Sequence, residues 1–250
     1  MQPTSDDIAC FNMAMTLNNI AVSLIDKRCH AKAIEIFCDA LTLLKSGHPC
    51  EDAAHTFVSK ANQYIANFNQ HQVRAAQTGA FASPFILSDD DLITIARSEL
   101  DENAMQDNMS FKCYLIQFSA PHDFATKAYH VDVVVATVLN NMASAYISAD
   151  TKQSSLEGVL AGAHELWSLS LSSVDSFLYD FNIVDEYMKM QQRAMQILVL
   201  RCVKETATLM KMEEVASAFS TALLEEYMNF HNMLIVRSIS STRTCGAAAA

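Results

Sequence analysis

The stretch Leu17-Asn18-Asn19-Ile20-Ala21-Val22-Ser23-Leu24-Ile25 returns in near copy as Leu139-Asn140-Asn141-Met142-Ala143-Ser144-Ala145-Tyr146-Ile147. Two such stretches predict a repeated structural unit. Around the first copy, Met13, Leu17, Ile20, Ala21, Leu24 and Ile25 recur at intervals of three and four, which draws one apolar stripe on a helix. Asp26-Lys27-Arg28 breaks that stripe, and a second one runs through Ala33, Phe37, Ala40, Leu41 and Leu44. A joint this short requires the two helices to pack antiparallel as a hairpin. Ala21, Ala33 and Ala40 let their backbones approach closely, and Leu17, Leu24 and Phe37 fill the space on either side.

Around the second copy, Val131, Val133, Val134 and Val135 lean locally toward strand, but Leu139, Met142, Ala143 and Tyr146 restore the helical stripe. Its partner helix carries Leu156, Leu160, Ala163, Trp167 and Ser170. A weaker third copy places Leu200, Val203, Lys204 and Ala207 on one helix that extends back toward Ile183, then Ala216, Ser220 and Leu223 on a last helix over 213–231. Between the first and second copies, Phe57, Ala61, Tyr64, Ile65 and Phe68 predict an extra helix. Residues 77–91 read as a loop, Ser88 to Asp91 as the cap of a short helix over Leu92–Leu100, and 111–118 as a strand whose partner is 81–87. Ser, Thr and Arg after Ile239, then Gly246 and four alanines, read as a tail.

The spacing in the first hairpin resembles the tetratricopeptide repeat. With Leu17 at the fourth position of that motif, Ile20, Ala21, Leu24, Ala33, Phe37 and Ala40 fall on its seventh, eighth, eleventh, twentieth, twenty-fourth and twenty-seventh positions, all with acceptable residue types. Lys45 stands where the motif has its terminating proline, and Gly47 and Pro49 follow. The resemblance covers 14–47 well. Over 136–172 it is partial, because the connection is longer than the motif permits, and over 197–230 Lys204 and Ser220 are poor matches. It implies a mainly α protein, one domain over 1–250, built from TPR-like antiparallel helix pairs as an α-α superhelix or an irregular helical bundle with a small β-containing insertion. The expected parts are a first pair at 11–48, an extra helix at 50–76, the insertion at 77–122, a second pair at 129–173, a degenerate third pair at 183–232 and a tail at 238–250.

In proteins of that family the first helix of each pair lines a concave surface that holds a peptide or a partner helix. Carried across, those groove positions are Met15, Asn18, Val22 and Ile25 in the first unit and Thr137, Asn140, Ser144 and Ile147 in the second. The two asparagines stand out, since an amide both donates to and accepts from a main chain, whether a partner's or that of a neighbouring helix or loop of the same protein. Family members that grip an acidic C-terminal peptide use Lys and Asn four apart, where this chain has Asn18 and Val22. An acidic peptide is therefore not the expected partner. The implied function is a noncatalytic scaffold or adaptor; the alternatives are a fixed structural subunit of a larger assembly and a helical enzyme whose groups converge only in three dimensions.

Composition sets the remaining bounds. A net charge of −11 over 250 residues disfavours a general nucleic-acid surface, and favours a basic or apolar partner over an acidic one. No apolar run approaches the ~20 residues of a membrane span. Residues 1–9 include Asp6 and Asp7 and lack the pattern of a secretory signal, and seven cysteines without a C-x-x-C pair suit reduced thiols, so an intracellular, cytoplasmic setting is expected. Asp89-Asp90-Asp91 has Leu92 and Ile93 where a metal-diphosphate site needs a third carboxylate, and reads as a cap or solvated loop. His164-Glu165 lies outside any zinc spacing. Cys38, the methionines 188, 190, 195, 210 and 212, and Trp167 read as core. No catalytic residue, metal site or cofactor is predicted.

Overall fold

The computed structural model describes residues 5–46, 85–103, 112–119, 131–149, 155–178 and 186–247, together with Thr56, Ser59, Lys60 and Gln63, which are helical. The remainder of the expected helix at 50–76 lies outside the described residues. The protein is mainly helical with one small sheet. In chain order the elements are α1 (Ser5–Asp26), α2 (His30–Ser46), β1 (Phe85–Ser88), a 3-10 turn (Asp89–Asp91), α3 (Leu92–Asn103), β2 (Tyr114–Gln117), α4 (Val131–Ser148), α5 (Leu156–Leu178), α6 (Glu186–Leu209) and α7 (Glu213–Ala247).

The long helices pack largely in the order of the chain. α1 lies on α2, α2 on α4, α4 on α5, α5 on α6 and α6 on α7. Ala21, Ala33 and Ala40 are fully buried between α1 and α2, with Leu17, Leu24 and Phe37 beside them. Ala143, Ala163 and Trp167 repeat that arrangement between α4 and α5.

Two of the joints share a device. Arg28 and Lys211 both adopt a left-handed backbone, with φ of 61° and 59°. After α1, Cys29 N–H donates to Leu24 O and Arg28 N–H to Ile25 O, each at 2.8 Å; after α6, Met212 N–H donates to Ala207 O at 2.9 Å and Lys211 N–H to Thr208 O at 3.0 Å. This pairing closes the last carbonyls of a helix and reverses the chain, usually with glycine at the left-handed position. Neither hairpin has one.

β1 and β2 pair in parallel, with Phe85 opposite Tyr114 and Ser88 opposite Gln117. The expected strand at 111–118 and its expected partner at 81–87 thus pair, over Tyr114–Gln117 and Phe85–Ser88, with Phe81 to Pro84 and Phe111 outside the described residues. β2 rests on α1 and α4, and α3 rests on α6. The insertion therefore lies along the first helix of every pair.

Four expectations need correction. The residues from 238 on do not form a tail up to 247, because α7 continues to Ala247; the chain has no proline there and no glycine before Gly246, so nothing ends the helix. Asp89 is not part of a solvated loop but buried, its carboxylate accepting from Ser119 N–H at 2.9 Å and Ser119 Oγ at 2.5 Å. Cys38 is exposed rather than core, since it follows Phe37 around the helix by about 100° and leaves the packed face. Met212 likewise stands exposed after the α6 turn, whereas Met190 and Met195 are buried.

Candidate functional site

Adjacent residues on a helix diverge by about 100°, so an Asn-Asn pair fans two amides outward from one turn. α1 presents Asn18 and Asn19 and α4 presents Asn140 and Asn141, and both pairs close on the backbone of β2 and of Phe118 just after it. Asn18 Nδ2 donates to Ile116 O at 3.0 Å. Asn19 takes Phe118 at both ends, accepting from its N–H at 2.9 Å and donating to its carbonyl at 2.9 Å. Asn140 Nδ2 donates to Tyr114 O at 2.8 Å. Asn141 takes Ile116 at both ends, accepting from its N–H at 2.8 Å and donating to its carbonyl at 2.7 Å.

The two pairs do the same thing two residues apart. In each, the first asparagine donates to one strand carbonyl and the second takes both backbone groups of the residue two further on: 116 and 118 for α1, 114 and 116 for α4. A two-residue step is the period of a strand, about 6.6 Å, after which backbone groups face the same edge again. Residues 114, 116 and 118 therefore turn their backbone groups to the helices, and Leu115 and Gln117 turn theirs to β1. The asparagines stand in for the missing neighbour strand.

The third copy does not continue this step. Arg201 and Cys202 of α6 occupy the places of the two asparagines, but only Cys202 reaches the same segment, its Sγ 3.8 Å from the carbonyl of Lys112, two residues before β2. Arg201 forms a buried ion pair with Glu99 of α3. Glu99 also accepts a hydrogen bond from the Tyr114 hydroxyl, and Lys112 Nζ stands 3.4 Å from the same carboxylate oxygen. A buried acid is thereby met by two cations and a phenol, the kind of compensation that burial of a charge demands.

The asparagine network is closed on itself. Asn141 Nδ2 donates to Asn18 Oδ1 at 2.8 Å, joining the repeats directly, and Trp167 Nε1 donates to Asn140 Oδ1 at 3.0 Å. Asn18, Asn140 and Asn141 are essentially without solvent exposure. The side chains of β2 divide between two apolar clusters. Tyr114 and Ile116 face one with Trp167 and α6, and Leu115 joins the other with Met15, Val22 and Val138.

All the groove residues named from the sequence are buried. Asn18, Asn140 and Ser144 contact β2, Ser144 Oγ reaching Tyr114 O at 3.3 Å. Met15 and Val22 lie in the cluster that receives Leu115 and Phe118. Thr137 instead bonds back to Val133 O of its own helix at 2.9 Å. Asn19 and Asn141, which the sequence sets beside Asn18 and Asn140 on the side away from the packing stripe, facing a partner or the insertion, meet the insertion. Glu99 and Arg201 carry no sequence signal, since their partners lie far away in the chain.

The ionisable groups near the strand are held in their neutral or paired forms. Burial pushes the Cys202 thiol up to about 12, against the lowering effect of Arg201, and raises Cys113 well above the ordinary range. Such thiols are poor nucleophiles. His164 bonds Thr206 Oγ1 at 2.9 Å and is held below its ordinary value mainly by burial. Among the described residues no group of three His, Cys, Asp or Glu is placed to hold a metal. α4 is long and apolar enough by composition to cross a membrane, but 72% of that window is buried inside the protein. In comparison with known proteins, the chain matches no family model, no curated protein and no solved structure.

Proposed function

We propose that this chain is a noncatalytic, intracellular protein–protein interaction scaffold, a degenerate TPR-like array of three helix pairs whose concave side holds extended polypeptide. The observation that supports it is the two-residue step. Equivalent positions of two repeats, Asn18-Asn19 and Asn140-Asn141, meet one extended segment two residues apart, the period of a strand. Contacts to main-chain groups suit a face that receives extended backbone.

Magnitude decides what occupies that face. Releasing β2 would expose Tyr114, Leu115, Ile116 and Phe118, at about 1.5–3 kcal/mol for each side chain. The sum is of the order of a whole domain's stability. The groove therefore stays filled in the folded protein, and an outside partner meets the insertion itself, where Ile86 is 40% exposed and Arg97 of α3 faces solvent. The net acidity makes a basic or apolar partner surface the better match. A noncatalytic role agrees with how Glu99 and the two buried thiols are used, paired or protonated rather than poised to react.

The self-filled groove also favours the second reading, a fixed structural subunit. Both are tested by isolating the partner from native extract and titrating it, purified, against this chain. An interaction scaffold predicts that Ile86→Asp weakens binding to an apolar partner surface about tenfold or more with unchanged melting. A fixed subunit predicts a complex of constant stoichiometry that does not exchange with added free chain. If the native chain retains no partner from extract, both readings fail.

A further inference from the structure

α7 ends the stack. Each of α2, α4, α5 and α6 has a long helix on either side, whereas the main neighbour of α7 is α6. The outer helix of a repeat array stays soluble when its open face is polar. α7 buries Leu223, Tyr227 and Phe230 toward α6, but the stripe next to that seam carries Leu224 and Met228, 62% and 61% exposed, and Ile235, 43% exposed. With exposed Ser217, Thr221 and His231, these residues recur at intervals of four and three, the spacing of a helix that pairs with another helix.

We infer that the occupant of this stripe is a second copy of the same chain, its α7 running antiparallel to the first about a two-fold axis near Asn229 and Phe230. The stripe is self-complementary in that register. Leu224 of one copy meets Ile235 of the other, Met228 meets His231, and Thr221 falls beyond them toward the ends. Charge follows the same symmetry. The first half of α7 carries Glu213, Glu214, Glu225 and Glu226, and the second half carries Arg237 and Arg243. Antiparallel pairing sets the acidic half of each helix beside the basic half of the other. A parallel pairing sets like charges together. Glu226 is already held by Arg193 at 2.5 Å, which leaves Glu225 as the acid available to the seam.

A seam of one helix is at the small end of specific interfaces, so the dimer is weak and concentration-dependent. Sedimentation equilibrium on the full chain tests it. The expected result is a mass rising from 27.6 kDa toward about twice that value as concentration increases. Leu224→Glu alone and Ile235→Lys alone each shift the dissociation constant upward by about tenfold or more, with circular dichroism unchanged. The double variant restores the dimer, because each new Glu then faces a new Lys across the two-fold axis. A native chain that stays monomeric at the highest soluble concentration overturns the proposal, as does a dimer indifferent to Leu224→Glu. A double variant no better than the single ones overturns the antiparallel register.

Discussion

Asn141 holds Ile116 by both ends of its backbone, the N–H at 2.8 Å and the carbonyl at 2.7 Å, while its remaining N–H joins Asn18 of the other repeat at 2.8 Å. One amide thus satisfies a strand and ties two helices together. Asn141→Leu is isosteric enough to enter but leaves Ile116 N–H and Asn18 Oδ1 buried without that partner, at about 1–3 kcal/mol for each group. Urea unfolding followed by the fluorescence of the single Trp167 is expected to show a loss of about 2–5 kcal/mol. Asn19→Ala, at a half-buried position, is expected to lose less. Equal losses at both sites would contradict the ranking by burial.

The Glu99–Arg201 pair sets where α3 sits on α6. A buried pair contributes little net stability, yet breaking it strands a charge, at about 3–5 kcal/mol. Arg201→Met alone is expected to destabilise by about that amount, and Arg201→Met with Glu99→Leu to recover most of it. Chemical denaturation of the two variants and the native chain measures the difference. A double variant as unstable as the single one would show that the pair contributes more than orientation.

Both left-handed turn residues carry side chains that disfavour their backbone. Relative to glycine, an L side chain in that region costs about 1 kcal/mol. Arg28→Gly and Lys211→Gly are each expected to raise stability by up to about 1 kcal/mol, offset in part by the greater entropy of the unfolded chain. Thermal melts of the two variants read the outcome, and a clear drop in melting temperature at either site would show that its side chain makes a compensating contact.

Cys202 gives the protein an alkaline limit. Its folded value is raised to about 12 from an ordinary 9.0 by burial, and Cys113 moves the same way for the same reason, with Cys202 beside it adding to the rise. A raised value means that the folded state keeps its proton while the unfolded state loses it. The contribution to stability is therefore complete below pH 9.0 and is lost as pH climbs from there toward about 12. Cys202→Ala should flatten that decline at the expense of a small cavity. At pH 8 a thiol reagent is expected to label exposed Cys38 in the native chain and to reach Cys113 and Cys202 only on unfolding.

The repeated stretch with its apolar periodicity was enough to place the helices around it, because three- and four-residue spacing is a local property that the chain states directly. The hairpin of α1 and α2 and the helical state of α4 despite its valines follow from it, and the lack of that spacing between Asn108 and Pro121 marks the short strand. Where turns and ends were concerned, local rules misled. Arg28 and Lys211 reverse the chain without glycine, and α7 runs on to Ala247 through residues that read as a tail.

What the asparagines do was decided only by tertiary structure. The sequence shows that Asn18-Asn19 and Asn140-Asn141 are repeated and lie off the packing stripe, which marks them as facing something. It does not show what, because an amide suits a partner's backbone and the chain's own equally well. The choice rests on β2, some hundred residues away from α1 and about 25 from α4 in the chain, whose buried side chains make release costly. A strand's two-residue period met by a helical repeat is a relation between distant segments, and no local pattern contains it.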